Sequence, residues 1–302
     1  MTTVQYAHNG TVRIAYERFG NAGGEPLLFI NGLGRNMLWI PDGLCHTLVA
    51  HGFDVVRYDH RDSGLSTHFD HHTSAPHLGS VIRASRTPPY PLTALADDAV
   101  AVLDALDWDS ANLVGGSMGA GVALLTAVRA PARVRSLTLT TAAYLPGAAK
   151  VFRHINPRIL LGLGGRKFGK DEEGEAEMTA AVMRMLASPH VPFDADAARD
   201  IGRRSFRRRP FDPQAERRQL SAGRSDQTWA FDRLPDVPIQ VINGLDDPIV
   251  RAAGGLELAR RLRAQIRFYP GMGHNLPEHL WETLADDVHT LTADARSSPR
   301  SP

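Results

Sequence analysis

The sequence predicts an α/β protein: a mainly parallel, twisted sheet flanked by helices. Short, wholly apolar runs such as "PLLFI" at 26–30 suit strands covered on both faces. Helical stretches alternate with them: residues 92–106 set Leu92, Leu95, Ala99, Val102 and Leu106 three or four apart, one apolar face of a helix. Strands separated by helices need crossovers, and crossovers make parallel neighbours.

Taken in order, residues 2–7 and 11–18 alternate as strands, and "HNGT" between them carries the Asn-Gly signal of a tight hairpin, so the sheet begins antiparallel. After "PLLFI" come a helical segment around 41–51 and the strand "FDVVRYD" at 53–59. The helix at 92–106 leads to the strand "ANLVG", the helix "GAGVALLTAV" and the strand "VRSLTLT" at 134–140. This alternation stops near Tyr144 and returns at "VPIQVING" (237–244), followed by the helical "GLELARRLRA", the strand-like "QIRFYP" and a last helix from about Glu278. The expected organisation is a core of residues 1–144 and 237–293, a helical cap inserted at 145–236, and a polar, proline-broken flexible tail at 294–302.

With 302 residues, 43% of them hydrophobic, the chain can bury a substantial core. Its 34 basic and 33 acidic residues nearly cancel, which removes the global field that would favour nucleic acid or anionic lipid. The N-terminus lacks the apolar run of a secretory signal, and no segment reaches the length of a membrane span; the expectation is a cytoplasmic protein, monomer or homodimer. The single cysteine, Cys45, excludes an intramolecular disulfide and reads as a buried structural thiol. "HFDHHTSAPH" supplies His68, His71, His72 and His77, but no Cys or Glu-x-x-His pattern accompanies them, so a solvated loop is expected there and no metal. The acidic run at 171–177 and the basic run at 203–211 offset one another and read as solvated faces, with Arg203 and Arg207 also suited to meet an anionic substrate group.

The chemistry concentrates at Gly115-Gly116-Ser117-Met118-Gly119. A strand that reverses at once into a helix strains its apex residue, and the positions two before and two after it come too close for side chains. That turn lifts the Ser117 hydroxyl clear of the backbone. It also puts the amide of Met118 at a helix N-terminus, where unpaired N–H groups can hold an anion. A serine hydroxyl needs a base, and the base needs a third group to orient it. "INGLDDPIV" offers Asp246 and Asp247 just past a strand end, and "YPGMGHNLPEHLW" offers His274 in a glycine-bounded loop.

Together these motifs resemble the α/β-hydrolase superfamily, from about Val4 to the last helix. The resemblance implies an α/β-hydrolase fold and a triad in the chain order Ser, acid, His: Ser117, Asp247 and His274. The superfamily's G-x-x-D-P falls on Gly244-Leu245-Asp246-Asp247-Pro248 and selects Asp247, with Asp246 as the alternative. Asn31-Gly32 stands where relatives carry His-Gly, which assigns the Leu33 N–H to the oxyanion hole beside the Met118 N–H. "YDHRDSGLST" is similar to the D-x-R-G-x-G-x-S loop, with Asp62 and Ser63 as departures and Asp59 and Arg61 as scaffold. Within the superfamily, "GGSMGA", "RYDHRDSG", "DDAVAVLDAL" and "PGMGHNLP" look most similar to carboxylesterases of the aclacinomycin methylesterase type. The resemblance therefore implies a serine esterase without a cofactor, acting on a small or medium hydrophobic ester such as a polyketide methyl ester. Lactonase, proline-iminopeptidase-like hydrolase and non-catalytic ligand binding are the alternatives on this fold.

Overall fold

The computed structural model describes residues 3–20, 22–70, 88–143, 154–156, 167–225 and 234–297. Its elements run β1 (Gln5–Asn9), β2 (Val12–Phe19), β3 (Glu25–Ile30), α1 (Asp42–Ala50), β4 (Phe53–Tyr58), α2 (Leu92–Ala105), β5 (Ala111–Gly116), α3 (Met118–Arg129) and β6 (Val134–Thr140). They continue through α4 (Glu172–Leu186), α5 (Ala195–Arg208), α6 (Pro213–Ser225), β7 (Ile239–Gly244), α7 (Ala252–Leu262), β8 (Gln265–Tyr269) and α8 (Trp281–Ser297). This is the α/β-hydrolase arrangement expected from the motifs.

Two compact units divide the chain. The first holds Met1–Thr138, Asp212–Pro238 and Ala285–Pro302; the second holds Leu139–Phe211 and Ile239–Leu284. Segment 145–236 is thus shared, with α4 and α5 in the second unit and α6 in the first.

In the first unit the strand order is β1-β2-β4-β3-β5-β6. The hairpin forms where Gly10 adopts φ +59° and sets Asn9 opposite Val12, and β2 then runs antiparallel to β4. From β4 onward the pairing turns parallel: Leu27 of β3 lies opposite Val55 of β4, and Ile30 opposite Gly115 of β5. Leu27, Leu28, Phe29 and Ile30 are buried in succession, as a strand covered on both faces requires. Because β3 and β5 are parallel and in this register, the Asn31 loop and the Ser117 turn leave the sheet at the same end, side by side. Cys45 of α1 is fully buried, and desolvation pushes its thiol up to about 12. It is a packing residue.

In the second unit β7 and β8 pair in parallel, from Gln240 opposite Gln265 to Gly244 opposite Tyr269. Asp171 caps the start of α4 by accepting the Gly174 N–H (2.9 Å), and Asp194 caps α5 through the amides of Asp196 and Ala197. A Cβ on Gly202 would lie 2.6 Å from the Ala176 Cα, so glycine there lets the two helices close on each other. Across the hairpin Arg203 pairs with Glu173 (3.0 Å) and Arg207 with Glu172 (2.6 Å). The opposite runs seen in the sequence are the two sides of this exposed ladder.

The last helix opens with a 3-10 turn at Glu278–Leu280, so α8 proper starts three residues later than periodicity suggests. It extends to Ser297; the remainder of the expected tail, 298–302, lies outside the described residues. Among the described residues no helix is long and apolar enough to cross a membrane.

Candidate active site

Ser117 sits between β5 and α3 with φ 52° and ψ −115°, a left-handed conformation that is costly for a residue with a side chain. The reason is the abrupt strand-to-helix reversal. A Cβ on Gly115 would meet the Gly119 carbonyl oxygen at 2.5 Å, and one on Gly119 would meet the Ile30 carbonyl oxygen at 2.2 Å. Only glycine fits at either flank, and the compressed turn leaves Ser117 partly exposed. Met118 is the first residue of α3, so its amide is among the helix's first N–H groups, which have no acceptor within the helix.

The loop after β3 packs against this turn: a Cβ on Gly32 would lie 3.5 Å from the Ser117 Cβ. The Asn31 side chain bonds within the loop itself. Its Oδ1 accepts the Gly32 N–H (2.8 Å), and its Nδ2 donates to the Asn36 carbonyl (2.7 Å). His60 donates from Nε2 to the Asn31 carbonyl (2.9 Å). Burial lowers the His60 pKa against the opposing pull of that bond, so the ring is held neutral with its proton on Nε2. On the far side, the Gly34 N–H donates to Gln219 Oε1 of α6 (2.8 Å).

The neighbouring loop explains its own departures. Asp59 accepts the Met37 amide (2.6 Å) and the Leu65 amide (2.9 Å), and Arg61 forms a two-pronged pair with buried Asp98. Asp62 has φ +61°, a region that favours glycine and that aspartate tolerates better than most residues. Its carboxylate is put to use, gripped by Arg218 of α6 through Nε (3.0 Å) and Nη2 (2.8 Å) and by the Tyr90 hydroxyl (2.8 Å). Burial, then the Asp62 charge, pushes the Tyr90 hydroxyl far above its ordinary value, so it stays a donor. Arg218 and Gln219 have no motif in "PQAERRQLSAGRS"; the only sequence signal was an aspartate standing where glycine is usual.

In the second unit, His274 and Asp247 are brought together, with Nδ1 2.8 Å from Oδ2. The other carboxylate oxygen, Oδ1, accepts the amides of Ile249 (2.7 Å) and Val250 (2.8 Å). A carboxylate only accepts, so the imidazole carries a proton on Nδ1, and the neutral ring has its lone pair on Nε2. Asp246 is engaged elsewhere: its Oδ2 accepts from the Ser188 hydroxyl (2.6 Å) and the Gly271 amide (3.2 Å). The His274 backbone N–H donates to the Leu186 carbonyl at the end of α4 (2.7 Å), and a Cβ on Gly273 would meet that same oxygen at 2.2 Å.

Of the histidine-rich stretch, His71, His72 and His77 lie outside the described residues. His68 comes close to Asp70 and Asp212, their ligand-type atoms within 4.8 Å of one another. A cation already reaches this cluster: Arg218 Nη2 lies 3.5 Å from Asp70 and 3.3 Å from Asp212.

A family model for the alpha/beta hydrolase fold matches residues 25–279, and the chain belongs to that family. It is a hydrolase of α/β fold. Among characterised relatives it is similar to rhodomycin D methylesterase DauP of Streptomyces sp. (strain C5), 30% identical over 92% of this chain and 94% of the relative. It is likewise similar to rhodomycin D methylesterase DnrP of Streptomyces peucetius, 29% identical over 94% of this chain and 97% of the relative. The fold matches the meta-cleavage product hydrolase CumD from Pseudomonas fluorescens IP01 with a TM-score of 0.70, 19% identity, and 96% and 98% of the two chains covered.

Proposed function

We propose that the protein is a carboxylic ester hydrolase that works through a serine acyl-enzyme, with the methyl ester of a polyketide-type acid as its substrate class. Ser117 Oγ attacks the ester carbonyl while His274 Nε2 takes the hydroxyl proton. Asp247 keeps the imidazole in the tautomer that leaves Nε2 basic and stabilises the cation it becomes. The tetrahedral oxyanion is received by the amides of Leu33 and Met118; loss of one such donor costs about 10²–10³ in rate in a well-studied hydrolase. As the C–O bond breaks, His274 returns the proton to the departing alkoxide, releasing an alcohol. Water, activated by the same nitrogen, then hydrolyses the acyl-serine to the free acid.

The observation that carries this reading is the 2.8 Å bond from His274 Nδ1 to Asp247, which prepares the ring as a base. The strained Ser117 turn supports the nucleophile, and the likeness to two methylesterases over nearly the whole chain supports the ester class. Selectivity is assigned to segment 145–236. The test combines a fluorophosphonate probe with a panel of methyl esters, lactones, amides and imino-peptides. Labelling of the wild type but not of Ser117→Ala, with methyl esters turned over best, is expected. A folded wild type that neither labels nor turns over any of them would favour a ligand-binding role.

A further inference from the structure

We infer that Gln219 is a positioning residue for the oxyanion hole, holding the Leu33 amide in place from outside its loop. The inference rests on the proposed serine mechanism and adds to it a component supplied by α6. Gln219 is fully buried, and both ends of its amide are used: Oε1 accepts the Gly34 N–H (2.8 Å) while Nε2 donates to the Arg61 carbonyl (2.8 Å). A backbone N–H only donates and a carbonyl only accepts, so the orientation of the side-chain amide is fixed by its partners.

Leu33 is consequently bracketed. On one side the Gly32 N–H is taken by Asn31 Oδ1, on the other the Gly34 N–H is taken by Gln219 Oε1. Fixing the amides before and after a residue restricts the rotation of the peptide units on either side of it, and so the direction of its own N–H. Asn31 does this from within the loop, Gln219 from a helix 185 positions along the chain from Gly34. The anchor is stiff. Arg218, the preceding residue, is clamped to Asp62, and Glu216 packs so closely on Gly34 that a Cβ there would lie 2.6 Å from its Cγ. Gly34 itself has φ +69°, so the loop bends at the point where α6 holds it.

An oxyanion donor contributes only when it points at the charge that develops in the transition state, and a displacement near 1 Å can cost about 10²-fold. Losing the Gln219 bond should therefore lower kcat and leave substrate binding nearly unchanged. The experiment compares wild type, Gln219→Leu and Gln219→Glu on p-nitrophenyl butyrate. Rates are expressed per active site titrated with a fluorophosphonate, and Ki is measured for a trifluoromethyl ketone that mimics the tetrahedral adduct. Gln219→Leu is expected to lose about 30- to 100-fold in kcat with KM within about threefold, and its Ki is expected to rise in step. Gln219→Glu keeps an acceptor for the Gly34 amide but sets a second acceptor against the Arg61 carbonyl in place of the donor, so it is expected to lose kcat as well, with KM again nearly unchanged. If Gln219→Leu does not fold, Gln219→Asn, one methylene too short to span both partners, takes its place with the same expectation. A fall in titratable sites with kcat per site and Ki unchanged would mean a purely structural role and overturn the proposal. A wild type without Ser117-dependent turnover would instead bring down the serine mechanism itself, and this inference with it.

Discussion

Asp247 divides its two carboxylate oxygens between tasks: one accepts His274 Nδ1 at 2.8 Å, the other is pinned by the amides of Ile249 and Val250. The pinning fixes the carboxylate plane, and through it the ring. Asp247→Asn should lower kcat by about 10⁴, because an amide can favour the wrong imidazole tautomer. Asp246→Asn, acting on Ser188 and Gly271, should cause a far smaller loss. Steady-state kinetics on both variants decide the matter; equal losses would remove Asp247 from the orienting role.

Ser117 and His274 should behave as one unit. Replacing either with alanine should reduce kcat by about 10⁶, and replacing both should add little further. Residual single-mutant activity within tenfold of wild type would exclude the proposed nucleophile and base.

Gly119→Ala should destabilise the fold by about 3 kcal/mol, since the new methyl would overlap the Ile30 carbonyl where the backbone has no room to yield. Gly223→Ala in α6, where an added Cβ would meet nothing within 4 Å, should be tolerated and serves as the comparison. Urea denaturation of the two variants measures the difference.

Ion pairs in this protein should differ sharply in weight. Arg218→Ala would leave the buried Asp62 carboxylate without its cation and should cost about 3–5 kcal/mol. Arg203→Ala, on the exposed ladder with Glu173, should scarcely move the denaturation midpoint. Similar losses for both would contradict this ranking.

His60 should make stability sensitive to mild acid. Its folded pKa is depressed by burial, so the unfolded chain binds the proton first as pH falls below about 6.5. Stability due to this group is present above that value, declines with falling pH until the folded pKa is passed, and then levels off. The slope in that window is at most about 1.4 kcal/mol per pH unit for one proton. Denaturation of wild type and His60→Gln at pH 7.5 and 5.5 should show the larger acid loss in wild type; parallel losses would show that His60 does not titrate in this way.

Much of this molecule was legible because its signals are local. Apolar runs and three-to-four spacings located the strands and helices, and the steric demands on Gly115 and Gly119 follow from a strand reversing directly into a helix. Arg218 and Gln219 were not legible, since their partners lie across the sequence and α6 has no strong apolar face to announce its docking. The start of α8 was shifted by Pro277, which precedes a 3-10 turn that hydrophobic spacing cannot distinguish from a first α-helical turn. Opposite charges at 171–177 and 203–211 suggested offset solvated faces; only the helical hairpin revealed that they meet each other.

The bond from the His274 amide to the Leu186 carbonyl makes α4 a hanger for the imidazole loop. Under the proposed mechanism, grafting this stretch from a relative to change substrate preference would therefore risk detuning the proposed proton acceptor as well. A transplant that retains the Leu186–Ser188 turn, and glycine at 273 beneath it, should exchange preference without silencing turnover. Evolution along this lineage would face the same restriction where the helix ends, in addition to the close approach of Ala176 to Gly202 along its length.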